Sequence, residues 1–222
     1  MIYLIITTSI TNKYAMVTPK QQQGGRPAPS NQWSEQSPEF RQKLYMDSIK
    51  KTLSLLPAGI KPIIVENNGK RSTFLDSFKV DVHYTTNNQE MFQHKGINEL
   101  NDIKSVIEAY DIKDEDTIIK ITGRYSPLND VFFKFVEKHN DVYDAFVKFY
   151  NVASMLFVDD DCVLGMFAVK CKLLKEFEYD NSSRSPEVQF AQFINGIEGE
   201  VCDVGILYLH CCFSETMKWM DV

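Results

Sequence analysis

Residues 2–9 read IYLIITTS. The run is apolar, rich in β-branched side chains and free of charge until it ends in hydroxyl residues. A strand with one wet face would alternate apolar and polar positions. This one does not, so both of its faces are buried. Strands of that kind belong to parallel sheets, whose connections are crossovers, usually helical. The chain that follows supplies such crossovers. Helical spacing runs over 38–56, where Phe40, Leu44, Ile49, Leu53 and Leu56 recur, and Pro57 and Gly59 end it. Residues 61–65 (KPIIV) form a second strand, 72–78 a short helix with Ser72 as its cap, and 80–84 a third strand. A helix covers 97–110 with Leu100, Ile103, Val106, Ile107 and Tyr110 on one face, and 117–121 is a fourth strand that stops at Gly123. Farther on, 131–136 starts a helix, 145–149 and 163–169 read as strands paired with each other, 186–194 is a helix capped by Ser185, and 205–209 is a late strand. This alternation specifies an α/β fold with a mostly parallel central sheet covered by helices on both faces.

Composition narrows the function. The 222 residues carry a formal net charge of −6, with 44% apolar and 24% charged residues. That suits one domain with a real core, and it excludes the basic stripe of a nucleic-acid binder. No apolar run approaches the roughly 20 residues needed to span a bilayer. The first ten residues lack the basic region and cleavage site of a signal peptide, so they read as a buried strand. Cys162, Cys171, Cys202, Cys211 and Cys212 include no CxxC pair, which points to reduced thiols and a cytoplasmic setting. Residues 16–37, rich in Gln, Pro, Gly and Ser, read as one long flexible loop, either a plain insertion or a cover for a substrate.

In open α/β sheets ligands bind at the carboxyl ends of the strands. Those ends carry Thr7, Thr8 and Ser9; Glu66, Asn67, Asn68 and Gly69; Thr85 to Asn88; and Thr122, Gly123, Arg124 and Tyr125. All four sets are rich in hydrogen-bonding groups. No GxxxxGK[ST], no GxGxxG and no Gly-rich nucleotidyltransferase loop after the first strand is present, so an anionic ligand needs other partners. Lys95 (in HKGINE) and Arg124 (in KITGRY) are the candidate cations, Arg124 with a fork suited to phosphate. Asp159, Asp160 and Asp161 form an acidic run in which Asp159 and Asp161 could share a hard divalent ion, and His210 is a further candidate ligand. Glu187 opens the helix over 186–194, where a helix N-terminus favours the ionised base.

Taken together, IITTSI, KPIIVENNG, HKGINE, DTIIKITGRY, CVLGMFAVK and SPEVQF resemble the small GT-A-fold glycosyltransferase-like proteins of large DNA viruses and some bacteria. The resemblance implies a single domain over 1–222, with a nucleotide-binding half at 1–125 and an acceptor and catalytic half at 126–222 that includes a smaller antiparallel part. It implies transfer of a sugar from a UDP- or GDP-sugar donor to a hydroxyl of a glycan or glycoprotein, in host cytoplasm if the protein is viral. It places Thr7 and Thr8 along the nucleotide, Glu66 or Asn67 at the base, and Lys95, Gly96 and Asn98 at base and ribose. Glu187 becomes the base for the acceptor. One departure stands out. Members of this fold carry a DxD motif after the fourth strand, where it holds Mn²⁺ or Mg²⁺ on the diphosphate. This chain has Thr122-Gly123-Arg124 there. Either Arg124 takes over the metal's charge, or ligands come from Asp159, Asp161 or His210. A catalytically silent relative that binds glycan or nucleotide is the alternative reading.

Overall fold

A computed structural model describes residues 1–11, 38–89, 95–180, 184–212 and 219–222. The expected loop over 16–37 lies outside them. Seven strands form the main sheet in the order β3-β2-β1-β4-β7-β6-β8. Its parallel block is β3 (Asp81–Tyr84), β2 (Ile60–Glu66), β1 (Ile2–Thr8) and β4 (Thr117–Thr122). The sheet then reverses. β7 (Met166–Lys170) runs antiparallel to β4, β6 (Ala145–Val147) antiparallel to β7, and β8 (Val201–Asp203) parallel to β6. A small antiparallel sheet places β9 (Leu209–Cys212) between β10 (Trp219–Asp221) and β5 (Ser126–Pro127).

Strand alternation sorts the core into two layers. Ile2, Leu4 and Ile6 of β1 pack on one face with Tyr45 and Ile49 of α1 (Pro38–Ser54) and with Phe132, Phe133 and Val136 of α3 (Val131–His139). Tyr3 and Ile5 point the other way, onto Leu100, Ile103 and Val106 of α2 (Lys95–Ala109) in a layer that also holds Leu173 of α4 (Cys171–Glu176) and Phe190 and Ile194 of α5 (Pro186–Asn195). All of β1 is buried, as its unbroken apolar run requires.

Three expectations are corrected. The short helix is a 3-10 turn, Phe74–Phe78, and its cap is Thr73 rather than Ser72, because Asp76 answers Thr73 in a reciprocal capping box. The late strand begins at Leu209, not at 205: Tyr208 has φ of 53°, which breaks the extended run just before Leu209 pairs with Pro127. The paired strands over 145–149 and 163–169 are shorter, with Ala145 opposite Val169 and Phe146 opposite Ala168. Ser185 caps α5 as expected, its hydroxyl accepting from Val188 N.

Candidate functional site

A cavity of about 240 Å³ opens at the carboxyl ends of β1, β2 and β4. Asn67, Gly96, Asn98, Thr122, Arg124 and Glu187 are among the residues singled out in the sequence that line it. Thr7, Thr8 and Glu66 stand behind its wall. Their placement follows from strand parity. Thr8 and Glu66 share the face turned to α1, where Glu66 is fully buried and accepts from Thr8 Oγ1 at 2.7 Å, Asn68 Nδ2 at 2.5 Å and Arg71 Nη2 at 3.2 Å. Glu66 therefore organises the turn after β2. Asn67, one position on, faces α2 and reaches the cavity. Lys95 begins α2; its side chain lies outside the described residues.

Parity also assembles a group that the sequence reading did not single out. Lys120 sits in the middle of β4, buried, on the face turned to α2. Its ammonium meets Glu99 Oε2 at 3.1 Å, Thr122 Oγ1 at 2.8 Å and the Leu164 carbonyl at 2.7 Å. Thr7 donates to Glu99 Oε1 at 2.6 Å. Burial would raise the Glu99 pKa, but the Lys120 charge and the Thr7 hydroxyl outweigh it and hold Glu99 below the usual carboxylate range. Burial pulls the Lys120 pKa down, opposed by Glu99. The signal was present: a lysine inside TIIKIT can be buried only with an anionic partner.

Two arginines complete the cationic side. Arg41 of α1 donates from Nε and Nη2 to the Ser9 carbonyl, at 2.9 and 2.7 Å, and so holds the end of β1. The Arg124 guanidinium lies 5.2 Å from the Tyr125 ring centre and is bonded to the Tyr45 hydroxyl, while Ser48 Oγ donates to its carbonyl at 3.1 Å. The first turns of α2 and α5 meet at the same wall, through Gly96, Asn98, Pro186 and Glu187. Helix N-termini carry partial positive charge and favour anionic groups.

The metal ligands expected at Asp159, Asp161 and His210 are not brought together. Among the described residues no three His, Cys, Asp or Glu side chains gather to hold an ion. Asp161 accepts from Asn151 Nδ2 at 2.6 Å and closes a hairpin, Asp159 offers its carbonyl to Asn195 at 2.6 Å, and His210 pairs with Asp221 at 2.5 Å in the small sheet. None of the three lines the cavity. At the end of β4 stand Thr122 and Arg124, neither of which is a carboxylate. A Cβ on Gly123 would stand 2.9 Å from Thr8 Cγ2 and 3.0 Å from the Thr7 carbonyl, so no side chain fits there, and the adjoining carboxylate, Glu99, is engaged by Lys120.

No protein-family model matches the sequence, and no curated protein matches it. Solved structures do. A protein described as a candidate nucleotide-diphospho-sugar transferase of Desulfovibrio desulfuricans G20 superimposes with a TM-score of 0.53 at 10% identity, over 91% of this chain and 79% of its own. The fold is GT-A-like. Weaker likenesses extend to a 4-diphosphocytidyl-2C-methyl-D-erythritol synthase (TM-score 0.47, 11% identity, 91% of this chain and 88% of that one). They also include the glycosyltransferase GlyE of Streptococcus pneumoniae TIGR4 (TM-score 0.46, 7% identity, 91% and 45%). In this fold the cavity sits at the strand ends, and no helix among the described residues is long and apolar enough to cross a membrane.

Proposed function

We propose that the protein is a glycosyltransferase that moves a sugar from a nucleoside diphosphate donor to a hydroxyl of a glycan or glycoprotein, without a divalent metal. The observation that carries this reading is the convergence of Arg41, Lys120 and Arg124 with the first turns of α2 and α5 on one cavity. Lys120 is neutralised by Glu99, so the arginines supply the net positive charge. Arg124 occupies the position where the fold's usual carboxylates would hold a metal, and its guanidinium meets the charge that develops on the departing diphosphate. Glu187, half-buried at the start of α5, takes the proton of the acceptor hydroxyl as its oxygen bonds to the anomeric carbon and the sugar–phosphate bond breaks.

The test is transfer and donor hydrolysis over a panel of UDP- and GDP-sugars, with and without EDTA. Arg124→Ala is expected to lower kcat/KM by about 100- to 1000-fold, and Glu187→Gln by about 100-fold or more, with EDTA changing neither binding nor turnover. Binding with no turnover, unaltered by Glu187→Gln, would instead indicate a silent relative. If no nucleotide-sugar binds at millimolar concentration, the reading is wrong.

A further inference from the structure

The cavity has two unlike ends. The order β3-β2-β1-β4 sets the residues after β2 and β3 at one end and Thr122 and Arg124 at the other. At the first end Asn67 and Asn88 stand side by side, Asn88 N donating to the Asn67 carbonyl at 3.1 Å, and both line the cavity. An amide side chain can be turned either way, so its partners must decide which end is the acceptor. Here they do. Asn67 Nδ2 points at the Asp102 carboxylate, 3.0 Å away, which as an anion only accepts. Asn88 Nδ2 donates to the Thr11 carbonyl at 2.9 Å and to Asn68 Oδ1 at 2.7 Å, which uses both of its hydrogens. A main-chain carbonyl cannot donate, so Asn88 cannot be reversed.

The consequence is an excess of acceptors in that corner. Asn88 Oδ1 receives no hydrogen bond from any described residue, and Asn67 Oδ1 receives a long one, 3.3 Å, from Asn68 Nδ2. Three nearby main-chain donors are committed inward: Ser9 N to the Tyr45 hydroxyl at 3.2 Å, Ile10 N to Glu66 Oε2 at 3.2 Å and Asn67 N to the Thr8 carbonyl at 3.3 Å. A base that fits must bring donors. Guanine presents two adjacent ones, N1–H and the N2 amino group. Uracil presents one N–H between two acceptors. Adenine and cytosine present one amino group beside acceptors.

Resting on the transferase reading above, we propose that the donor nucleotide is a guanine nucleotide, read by the Asn67 and Asn88 side-chain carbonyls. Asp102 and Thr11 are the parts that fix the orientation of the two amides, and Arg124 at the opposite end takes the diphosphate.

Titration calorimetry on the full chain with GDP, IDP, UDP, CDP and pyrophosphate tests this. GDP is expected to bind tightest, with UDP and CDP at least about tenfold weaker. IDP, which lacks the 2-amino group, should be roughly three- to tenfold weaker, the worth of one hydrogen bond. UDP or CDP binding as tightly as GDP would overturn the guanine assignment and leave the transferase reading standing. So would equal affinity for IDP and GDP, or for pyrophosphate and GDP. Failure of every nucleotide to bind would overturn both.

Discussion

Asp102 is fully buried on α2 and accepts from Thr85 Oγ1 at 2.6 Å, Asn87 Nδ2 at 2.8 Å and Asn67 Nδ2 at 3.0 Å. Burial pushes its pKa up to about 6, against those three hydrogen bonds and with the Glu99 charge adding to the rise. An acid whose pKa is higher folded than unfolded holds its proton more tightly in the native state. Its contribution to stability is therefore greatest at low pH and is lost as pH rises from the unfolded value of 3.8 towards about 6. Asp102→Asn removes that dependence. Wild type should gain about 1 kcal/mol over Asp102→Asn when the pH is lowered from 7 to 5. Urea unfolding of both proteins at the two pH values measures it, and a constant difference would show the carboxyl ionised throughout. At this scale the sequence was legible where a residue's type sufficed and illegible where partners decided. Arg124 and Glu187 follow strand and helix signals, and both line the cavity. Lys120 and Glu99 acquire meaning only from each other, 21 positions apart. Asp159, Asp161 and His210 have suitable chemistry, yet none of them lines the cavity.

The long helices and buried strands were readable because period and caps agree along one segment. α5 shows it: Ser185 caps, Pro186 takes the first helical position, and Glu187 lies in the first turn. Strands of two or three residues, such as β5, β8 and β10, carry no period of their own and exist through their neighbours. The contact between α2 and α5 is likewise invisible in sequence. Gly96 allows it, since a Cβ there would lie 2.8 and 2.9 Å from the Pro186 ring and 3.2 Å from the Tyr179 hydroxyl. Gly96→Ala should force the two first turns apart, with a stability loss of about 1–3 kcal/mol, and displace Glu187 and Asn98 from the cavity wall. Gly205→Ala is the control, because a Cβ there meets nothing within 4 Å. Thermal unfolding and turnover of the pair decide the matter. If Gly96→Ala matches the control in both, the two helix starts are not coupled.

Across the molecule, β–α alternation gave the parallel block, whereas the reversal at β7 had to come from tertiary pairing. β4 and β7 are 44 positions apart at their nearest ends, and nothing local specifies which edge β7 joins. That reversal, with the small sheet beside it, builds the second wall of the cavity. β5 follows directly on Arg124 and Tyr125, and β9, which supplies Cys211 to the lining, is held between β5 and β10. Val222 continues the pairing of this sheet: Leu209 and Val222 exchange two main-chain hydrogen bonds, each 3.0 Å, and Val222 is buried. Removing residues 219–222 leaves β9 paired on one side only. The loss of those hydrogen bonds and of the buried valine should cost roughly 3 kcal/mol. Because β9 pairs with β5, which follows directly on Arg124 and Tyr125, the proposed function predicts that donor affinity falls with stability, and more for a nucleoside diphosphate than for the nucleoside, whose proposed base contacts lie at the opposite end of the cavity. Calorimetry with GDP and guanosine on the shortened chain separates the two. Equal losses for both ligands would mean that the small sheet supports the cavity as a whole and not its phosphate end.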